Sequence, residues 1–393
     1  MPKPSLLLIS ASSIIAENRK RISTLAESFD LTCVTCRTAR SLGFDVSLRA
    51  DEQPSDYHLI SLPTLGRAES TTRYLFRGLG KLFASRAFDV VLVESEPWAW
   101  VRWQAWLWKK IRQPRALFGE FSWENTARTG LKGAILGRLY RLAAATDDFV
   151  IAGNRAAKNL FCGHGLDPAR ALVAPQIGVD EILFSPIAPG ERAAARTHEG
   201  IPLAAYVIGY CGRFIAEKGV TDLIAAVDLV RPAHSSSPLA LALLGSGPLQ
   251  PELERLASER PWLRLLGPRP HAAVAGFMAM LDLLVLPSKP SRAGGTVWEE
   301  QFGHVLIEAM CCGVAAIGSD SGAIHEVLGE AALIFPAGDI PALAGHIAKM
   351  IADTETGARL RQRVLEHFTN RAVGTRWAEF LLAQLARKSA AAS

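Results

Sequence analysis

The sequence lacks most of the features that would classify it at sight. Its 393 residues hold six cysteines (Cys33, Cys36, Cys162, Cys211, Cys311 and Cys312), too few and too scattered for a disulfide framework. Cys33 and Cys36 form a C-x-x-C inside LTCVTC. That segment reads as a strand, whose alternation sends the two thiols to opposite faces and excludes a redox pair or half a zinc site. The cysteines suit small buried hydrophobes in a reducing compartment. No zinc spacing and no nucleic-acid-binding signature is present, and the formal charge of +5 is mild. Such a charge fits an anionic substrate or a membrane surface. The apolar run in MPKPSLLLISAS is too short for a signal peptide or a membrane span. The expected location is therefore cytoplasmic, with any membrane contact peripheral, at the inner face. No G-x-G-x-x-G opens the first helix, which argues against a dinucleotide dehydrogenase.

What the chain does contain is alternation. Short apolar runs, each ended by a Gly-, Ser- or Pro-containing loop, are followed by helical periodicity. Strands are expected at Leu6–Ile9, Leu31–Thr35, His58–Ser61, Asp89–Val93, Ala116–Gly119, Phe149–Ile151 and Ala171–Ala174. Helices are expected at Ile15–Ser28, Ser70–Ser85, Trp98–Arg112, Gly130–Ala145 and Arg155–Gly163. The segment Pro186–Pro202 reads as a linker. Alternation resumes with strands Tyr206–Tyr210, Leu239–Leu244, Leu263–Leu266, Leu281–Leu286 and Val314–Ile317, and helices Val220–Leu229, His271–Met280 and Phe302–Cys312. The length suits two α/β domains, each able to bury a core. A last helix is expected over Val373–Lys388, with the final Ser-Ala-rich residues disordered.

In open α/β sheets, ligands sit outside the carboxyl ends of the strands. The stretch Pro287–Gly322 is the richest such end. It offers Glu300, then Gln301-Phe302-Gly303 at a helix start, and Glu308 within the helix. Free backbone N–H groups there favour an anion, and carboxylates accept bonds from hydroxyls. A sugar nucleotide has both.

Glu300, seven intervening residues, Glu308, Ala309-Met310 and Gly313 together resemble the signature of family 4 retaining glycosyltransferases of the GT-B fold, glycosyl transferases group 1. The resemblance extends to Gly212-Arg213 with Lys218-Gly219, to Gly245-Ser246-Gly247-Pro248, and to PQIGVDEILFSP, Pro175–Pro186. It implies two Rossmann-like domains facing across a cleft: residues 1–186 on the acceptor side, 187–370 binding the donor, and a C-terminal helix, 371–393, returning to the first domain.

The resemblance also implies roles. Arg213 and Lys218 grip the donor diphosphate, replacing the metal that other glycosyltransferases hold with an Asp-x-Asp motif, which is absent. Phe302, Gly303 and His304 at the helix start, with Gly212 and Gly247, complete the phosphate cradle. Glu308 binds the ribose, Glu300 the sugar, and Pro268 and Arg269 read the base. No cofactor is implied beyond the nucleotide-diphosphate sugar itself, UDP-, GDP- or other. The acceptor is a glycan, a lipid-linked molecule or a small molecule, and no nucleic acid is involved.

The sequence departs from the family at three places. Gln301 replaces a small residue, the Ser10–Ser13 loop lacks a Gly pair, and no histidine stands in the first half of the cleft. Ser13, Glu94, Glu96 and Glu124 are the acceptor-side candidates. Glu96 is also a candidate helix cap and Glu94 a surface residue, while His271 reads as a surface residue at a helix start. Two other readings are a sugar-nucleotide epimerase of the same fold and a non-catalytic sugar-nucleotide-binding protein. One segment stands apart. In Trp98–Arg112, five tryptophans mingle with Arg102, Lys109, Lys110 and Arg112. At about 100° per residue they encircle the helix. Either they pack in the core or they form a patch for anionic lipid.

Overall fold

The computed structural model describes residues 2–41, 44–47, 54–66, 72–234, 238–293 and 296–392. By compactness the chain divides into Met1–Gly178 with Asn370–Ser393, and Val179–Thr369. The expected borders at 186/187 and 370/371 thus lie eight residues and one residue away from those of the two units.

The first unit contains strands β1 (Ser5–Ile9), β2 (Asp30–Cys36), β3 (Thr38–Ser41), β4 (Phe44–Ser47), β5 (His58–Leu62), β6 (Thr64–Gly66), β7 (Tyr74–Phe76), β8 (Val90–Glu94), β9 (Leu117–Ser122), β10 (Phe149–Ala152) and β11 (Ala171–Val173). Seven form one parallel sheet in the order β11-β10-β9-β8-β1-β2-β5. Near-continuous apolar runs such as Leu6-Leu7-Leu8 suit strands covered on both faces. Helices α1 (Ala16–Ser28), α2 (Leu79–Ser85), α3 (Trp100–Arg112), α4 (Gly130–Thr146) and α5 (Arg155–Gly163) supply that cover.

Register assigns the faces. Val91 pairs with Phe118, Val93 with Glu120, and Glu120 with Val150, so these share one face. That face packs against α2 and α3 in one cluster and α4 and α5 in a neighbouring one. Leu92, Glu94, Phe121 and Ile151 lie on the other face, under α1 and the last helix. The β3–β4 and β6–β7 hairpins leave the sheet. Part of the expected helix Ser70–Ser85 is therefore strand: β7 occupies Tyr74–Phe76 and the helix begins at Leu79, while Ser70 and Thr71 lie outside the described residues.

The second unit opens with α6 (Pro189–His198), where the sequence reads as a linker; Pro189 at the first turn and a back-bond from Ala188 N–H to Glu191 start it. Strands β12 (Tyr206–Cys211), β13 (Leu239–Leu244), β14 (Leu263–Gly267), β15 (Leu283–Leu286), β16 (Ser291–Ala293), β17 (Thr296–Trp298), β18 (Ala315–Ser319) and β19 (Ile334–Phe335) follow. Six make a parallel sheet ordered β14-β13-β12-β15-β18-β19. Its helices are α7 (Val220–Val230), α8 (Gln250–Ser258), α9 (His271–Met280), α10 (His304–Cys311), α11 (Ile324–Leu328), α12 (Ile340–Ile351) and α13 (Thr356–His367).

The final helix, α14 (Asn370–Ala392), runs through the Ser-Ala-rich end instead of fraying before it, and it belongs to the first unit. Its Trp377 is fully buried, stacks on Phe121 at 5.4 Å and donates to the Pro175 carbonyl at 3.2 Å. The Arg21 guanidinium of α1 lies 4.5 Å over the same ring. Trp377→Ala leaves a large void and an uncovered guanidinium. Urea unfolding is expected to show a loss of about 3–5 kcal/mol in the first unit, and an unchanged midpoint would show that the unit does not depend on this ring.

Candidate functional site

In each sheet the strand order reverses beside the first strand of the unit. Such a switch point opens a crevice at the carboxyl ends of two neighbouring strands. In the second unit the two strands are β12 and β15. After β12 the chain makes a short 3-10 turn, Ala216–Lys218, and Gly219 follows at φ +66°. A Cβ on Gly219 would lie 2.0 Å from the Pro287 carbonyl oxygen, so only glycine lets the loop after β12 press onto the end of β15. Lys289 N–H donating to the Glu217 carbonyl at 2.7 Å and the Lys289–Asp222 ion pair at 2.9 Å hold the two loops together.

This seat brings Lys218 Nζ to 2.5 Å from Glu300 Oε2 and 4.8 Å from the Trp298 ring centre. Ser288 Oγ donates to the same carboxylate oxygen at 2.8 Å, and Ser319 Oγ donates to the Ser288 carbonyl at 2.5 Å. Glu300 is 9% exposed, so this is a nearly buried carboxylate with a fixed cation beside it. Arg213, on the loop between Lys218 and β12, is exposed, and among the described residues its guanidinium has no ion-pair partner. Its carbonyl accepts from Tyr210 Oη at 2.7 Å. Burial first, then Cys211 and the nearby Glu300, raise the Tyr210 phenol far above its ordinary value. The Arg213 and Glu300 loops thus meet over one ring.

Three successive loops are stitched beside them. Gly212 N–H donates to the Leu244 carbonyl, Phe214 N–H to Ser246, and Gly245 N–H to Gly267. Gly247 lies flat against the Phe214 backbone. The predicted Gly212 and Gly247 are therefore together with Arg213. Gly303 caps α10 at φ +84°, beside Leu286 at the end of β15, and Phe302 is buried next to the His304 ring at 5.6 Å. The helix begins at His304, two residues later than expected.

Glu308, 6% exposed, sits under the end of β12: burial, then this carboxylate, push the Cys211 thiol up to about 12. His271 Nε2 lies 3.0 Å from Glu308 Oε1. His271 is exposed, as a surface reading expects, but that reading misses this pairing with a residue 37 positions away. Arg269 follows Pro268 at the end of β14 and is ion-paired with Glu199 at 2.8 Å.

The first unit's crevice lies between β1 and β8. Ser13 Oγ donates to Ser10 Oγ at 2.9 Å, and Ser10 Oγ to Glu94 Oε2 at 2.5 Å. Glu94 also pairs with Arg21 and accepts from Gln176 Nε2 at 2.8 Å. The surface reading of Glu94 is thus corrected: it is the buried centre of a network whose Arg21 and Gln176 carried no local sequence signal. Glu96 is not a helix cap either. α3 begins at Trp100, and the Glu96 carboxylate instead accepts from Ser122 Oγ and from Trp123 N–H at 3.1 Å. Glu124 pairs with Arg128 at 2.8 Å. Both line a cavity of about 140 Å³ with Trp98, Leu136, Tyr140 and His164. The Tyr140 hydroxyl is buried there without a hydrogen-bond partner.

Residues 205–353 match the model of the family "Glycosyl transferases group 1". That stretch is what resembles the family. The match falls within the second unit and spans every residue of the β12–β15 crevice. Curated proteins similar to this chain are named as glycosyltransferases. The chain is 28% identical over 256 residues to the 2-deoxystreptamine N-acetyl-D-glucosaminyltransferase of Streptomyces fradiae, covering 58% of each chain. It is 30% identical over 249 residues to D-inositol 3-phosphate glycosyltransferase 1 of Catenulispora acidiphila, covering 60% of this chain and 55% of that one. The chain spans about half the length of the curated relatives it matches. Among solved structures, Anabaena Alr3699/HepE in complex with UDP and glucose is 18% identical, with a TM-score of 0.66 over 96% of this chain and 99% of that one. That likeness identifies the fold as GT-B.

The buried carboxyls of the first unit make the chain's stability depend on pH. Burial pushes Glu96 up to about 7, against the bonds from Ser122 and Trp123. The folded state then favours the protonated form. Its contribution is complete below the ordinary carboxyl value and is lost as pH rises through 7. Glu96→Gln keeps the acceptor for Trp123 and removes the charge. Its thermal midpoint is expected to exceed that of the parent at pH 8, by roughly 2–4 °C per kcal/mol of relief, and to match it near pH 4. An equal difference at both pH values would mean that the carboxyl does not titrate in the fold.

Proposed function

We propose that the protein is a retaining, metal-independent glycosyltransferase that moves a sugar from a nucleotide-diphosphate donor to an acceptor hydroxyl. The observation that carries this reading is the Lys218–Glu300 contact at the β12–β15 crevice, a cation and a carboxylate held together where a ligand of such a sheet binds. Arg213 adds a second cation on the same loop, and the N-terminus of α10 at Gly303 adds backbone N–H groups.

In this reading the donor diphosphate displaces the Glu300 carboxylate from Lys218. The freed Glu300 then accepts bonds from the sugar hydroxyls, with Ser288 Oγ still donating to its Oε2. Arg213 forks onto the diphosphate, Lys218 acts as a point charge, and His304 stands at the helix start. As the glycosidic bond to phosphate breaks, negative charge grows on the leaving oxygen. Cations already fixed there stabilise it without reorganisation. The leaving phosphate takes the proton of the attacking hydroxyl. Glu308 anchors the ribose, and backbone near Pro268 and Arg269 meets the base, with Arg269 steadied by Glu199.

The HepE structure with UDP and glucose supports a UDP-sugar, and a GDP-mannose-dependent relative, 29% identical over 178 residues, supports GDP. On the acceptor side Ser13, Glu94, Glu96 and Glu124 belong to buried or ion-paired sets, so they shape the crevice wall. Acceptors named for the relatives include 2-deoxystreptamine and D-inositol 3-phosphate, and the acceptor class here is a glycan, a lipid-linked molecule or a small natural product. The protein works in the cytoplasm and meets the membrane peripherally.

Arg213→Ala and Lys218→Ala are each expected to lower turnover of UDP- or GDP-sugars about a hundredfold or more, on the order of 3 kcal/mol of barrier. The checks are donor hydrolysis and transfer to a panel of alcohols. Folded variants with parental rates would remove the phosphate assignment, and epimerised donor with no transfer would indicate an epimerase.

A further inference from the structure

No helix among the described residues is long and apolar enough to cross a membrane. One face of the first unit nevertheless has an unusual surface. The helices that cover it, α2, α3, α4 and α5, contain no aspartate or glutamate. The opposite face differs: α1 carries Glu17 and Glu27, and α14 carries Glu379.

Apolar exposure concentrates on the same face. Trp100, Leu107 and Ile111 of α3 are 50%, 49% and 58% exposed. Leu131, Ile135 and Leu142 of α4 are 80%, 51% and 52% exposed. The two helices are neighbours: Arg102 of α3 donates to Thr146 Oγ1 at the end of α4 at 2.5 Å, and Trp98 meets Tyr140 edge-on at 6.1 Å. On each helix the exposed apolar residues recur at spacings of four and seven, which makes a stripe along one side. Cations flank both stripes: Lys110 and Arg112 on α3, and Lys132, Arg138 and Arg141 on α4, all exposed.

The tryptophans do not all belong to this surface. Trp106 and Trp108 pack onto the core, and Trp103 covers the buried Arg102 guanidinium at 4.0 Å. Arg102 and Lys109 are buried as well. The α3 sequence thus divides between core and surface, and α4, which has a single aromatic residue, supplies the larger exposed share.

We propose that the α3–α4 face docks on a bilayer that contains anionic lipid. Leucine, isoleucine and tryptophan side chains enter the interface, and the flanking lysines and arginines meet lipid phosphates. Absence of carboxylates removes the repulsion that an ordinary protein surface would offer. The inference rests on the transferase reading only for its purpose, which is to hold the protein at a lipid surface.

The test is co-sedimentation of the full chain, without donor, with phosphatidylcholine vesicles that contain or lack phosphatidylglycerol. Binding to the anionic vesicles alone, weakened by added salt, is expected. Leu131→Asp combined with Ile135→Asp should lower bound protein about tenfold or more at an unchanged melting temperature, whereas Leu382→Asp on α14 should leave it unchanged. Lack of binding to anionic vesicles overturns the proposal, as does equal binding by the α4 double variant. Vesicle-independent dimers that the same double variant converts to monomers overturn it in favour of a second copy. Donor hydrolysis is measured separately in vesicle-free buffer. Loss there with vesicle binding intact counts against the transferase reading and not against this surface.

Discussion

The second unit is organised by the close approach of two loops across a reversal in strand order. Lys218 reaches Glu300 because Gly219 allows the β12 loop to lie on the Pro287 carbonyl. A lysine and a carboxylate brought out of water cost free energy unless each finds a partner, and here each does, with Ser288 completing the carboxylate. In the proposed reading the pair keeps a cation positioned until the donor diphosphate arrives. Nearby features share this economy of motion. The Gly212, Gly245 and Gly247 loops are fixed to one another by backbone bonds, which holds their conformation in place.

Much of this was legible in the residues. The strand–loop–helix alternation gave both sheets, because parallel strands buried on two faces leave long apolar runs. Glu300, Gly303 and Glu308 stood out at a strand end and helix start, and Arg213 and Lys218 through the resemblance to the glycosyltransferase signature. The structure places Arg213, Lys218 and Glu300 around Tyr210 and Trp298, and Gly303 and Glu308 on the adjacent helix. What escaped was tertiary. His271 gains its meaning from Glu308, 37 residues away, and Gln176 from Glu94, 82 residues away. Ser288, which donates to the Glu300 carboxylate, and Ser319, which donates to the Ser288 carbonyl, look like loop polarity until that carboxylate is placed. The helix in Pro186–Pro202 was hidden because its Pro, Gly and Glu serve equally as linker residues and as a helix start.

The first unit shows a second use of buried charge. Arg21 with Glu94 lies on one face of the sheet, and Arg102 with Asp147 and Glu120 on the other. Burial raises Glu120 and Asp147 above the ordinary carboxyl range, with Arg102 opposing the rise in both. Such groups fix which strands and helices meet, since any other register would strand a charge in the interior. They also explain why Arg102 of α3 contributes no basic surface.

The placement of α14 has a bearing on how the polypeptide matures. Trp377 covers Phe121 and Arg21, yet it leaves the ribosome only after all of Val179–Thr369 has been made. Domains usually complete in the order of their synthesis. Here the amino-terminal sheet must wait with one flank open while the later Rossmann-like body assembles, and the last two dozen residues close it.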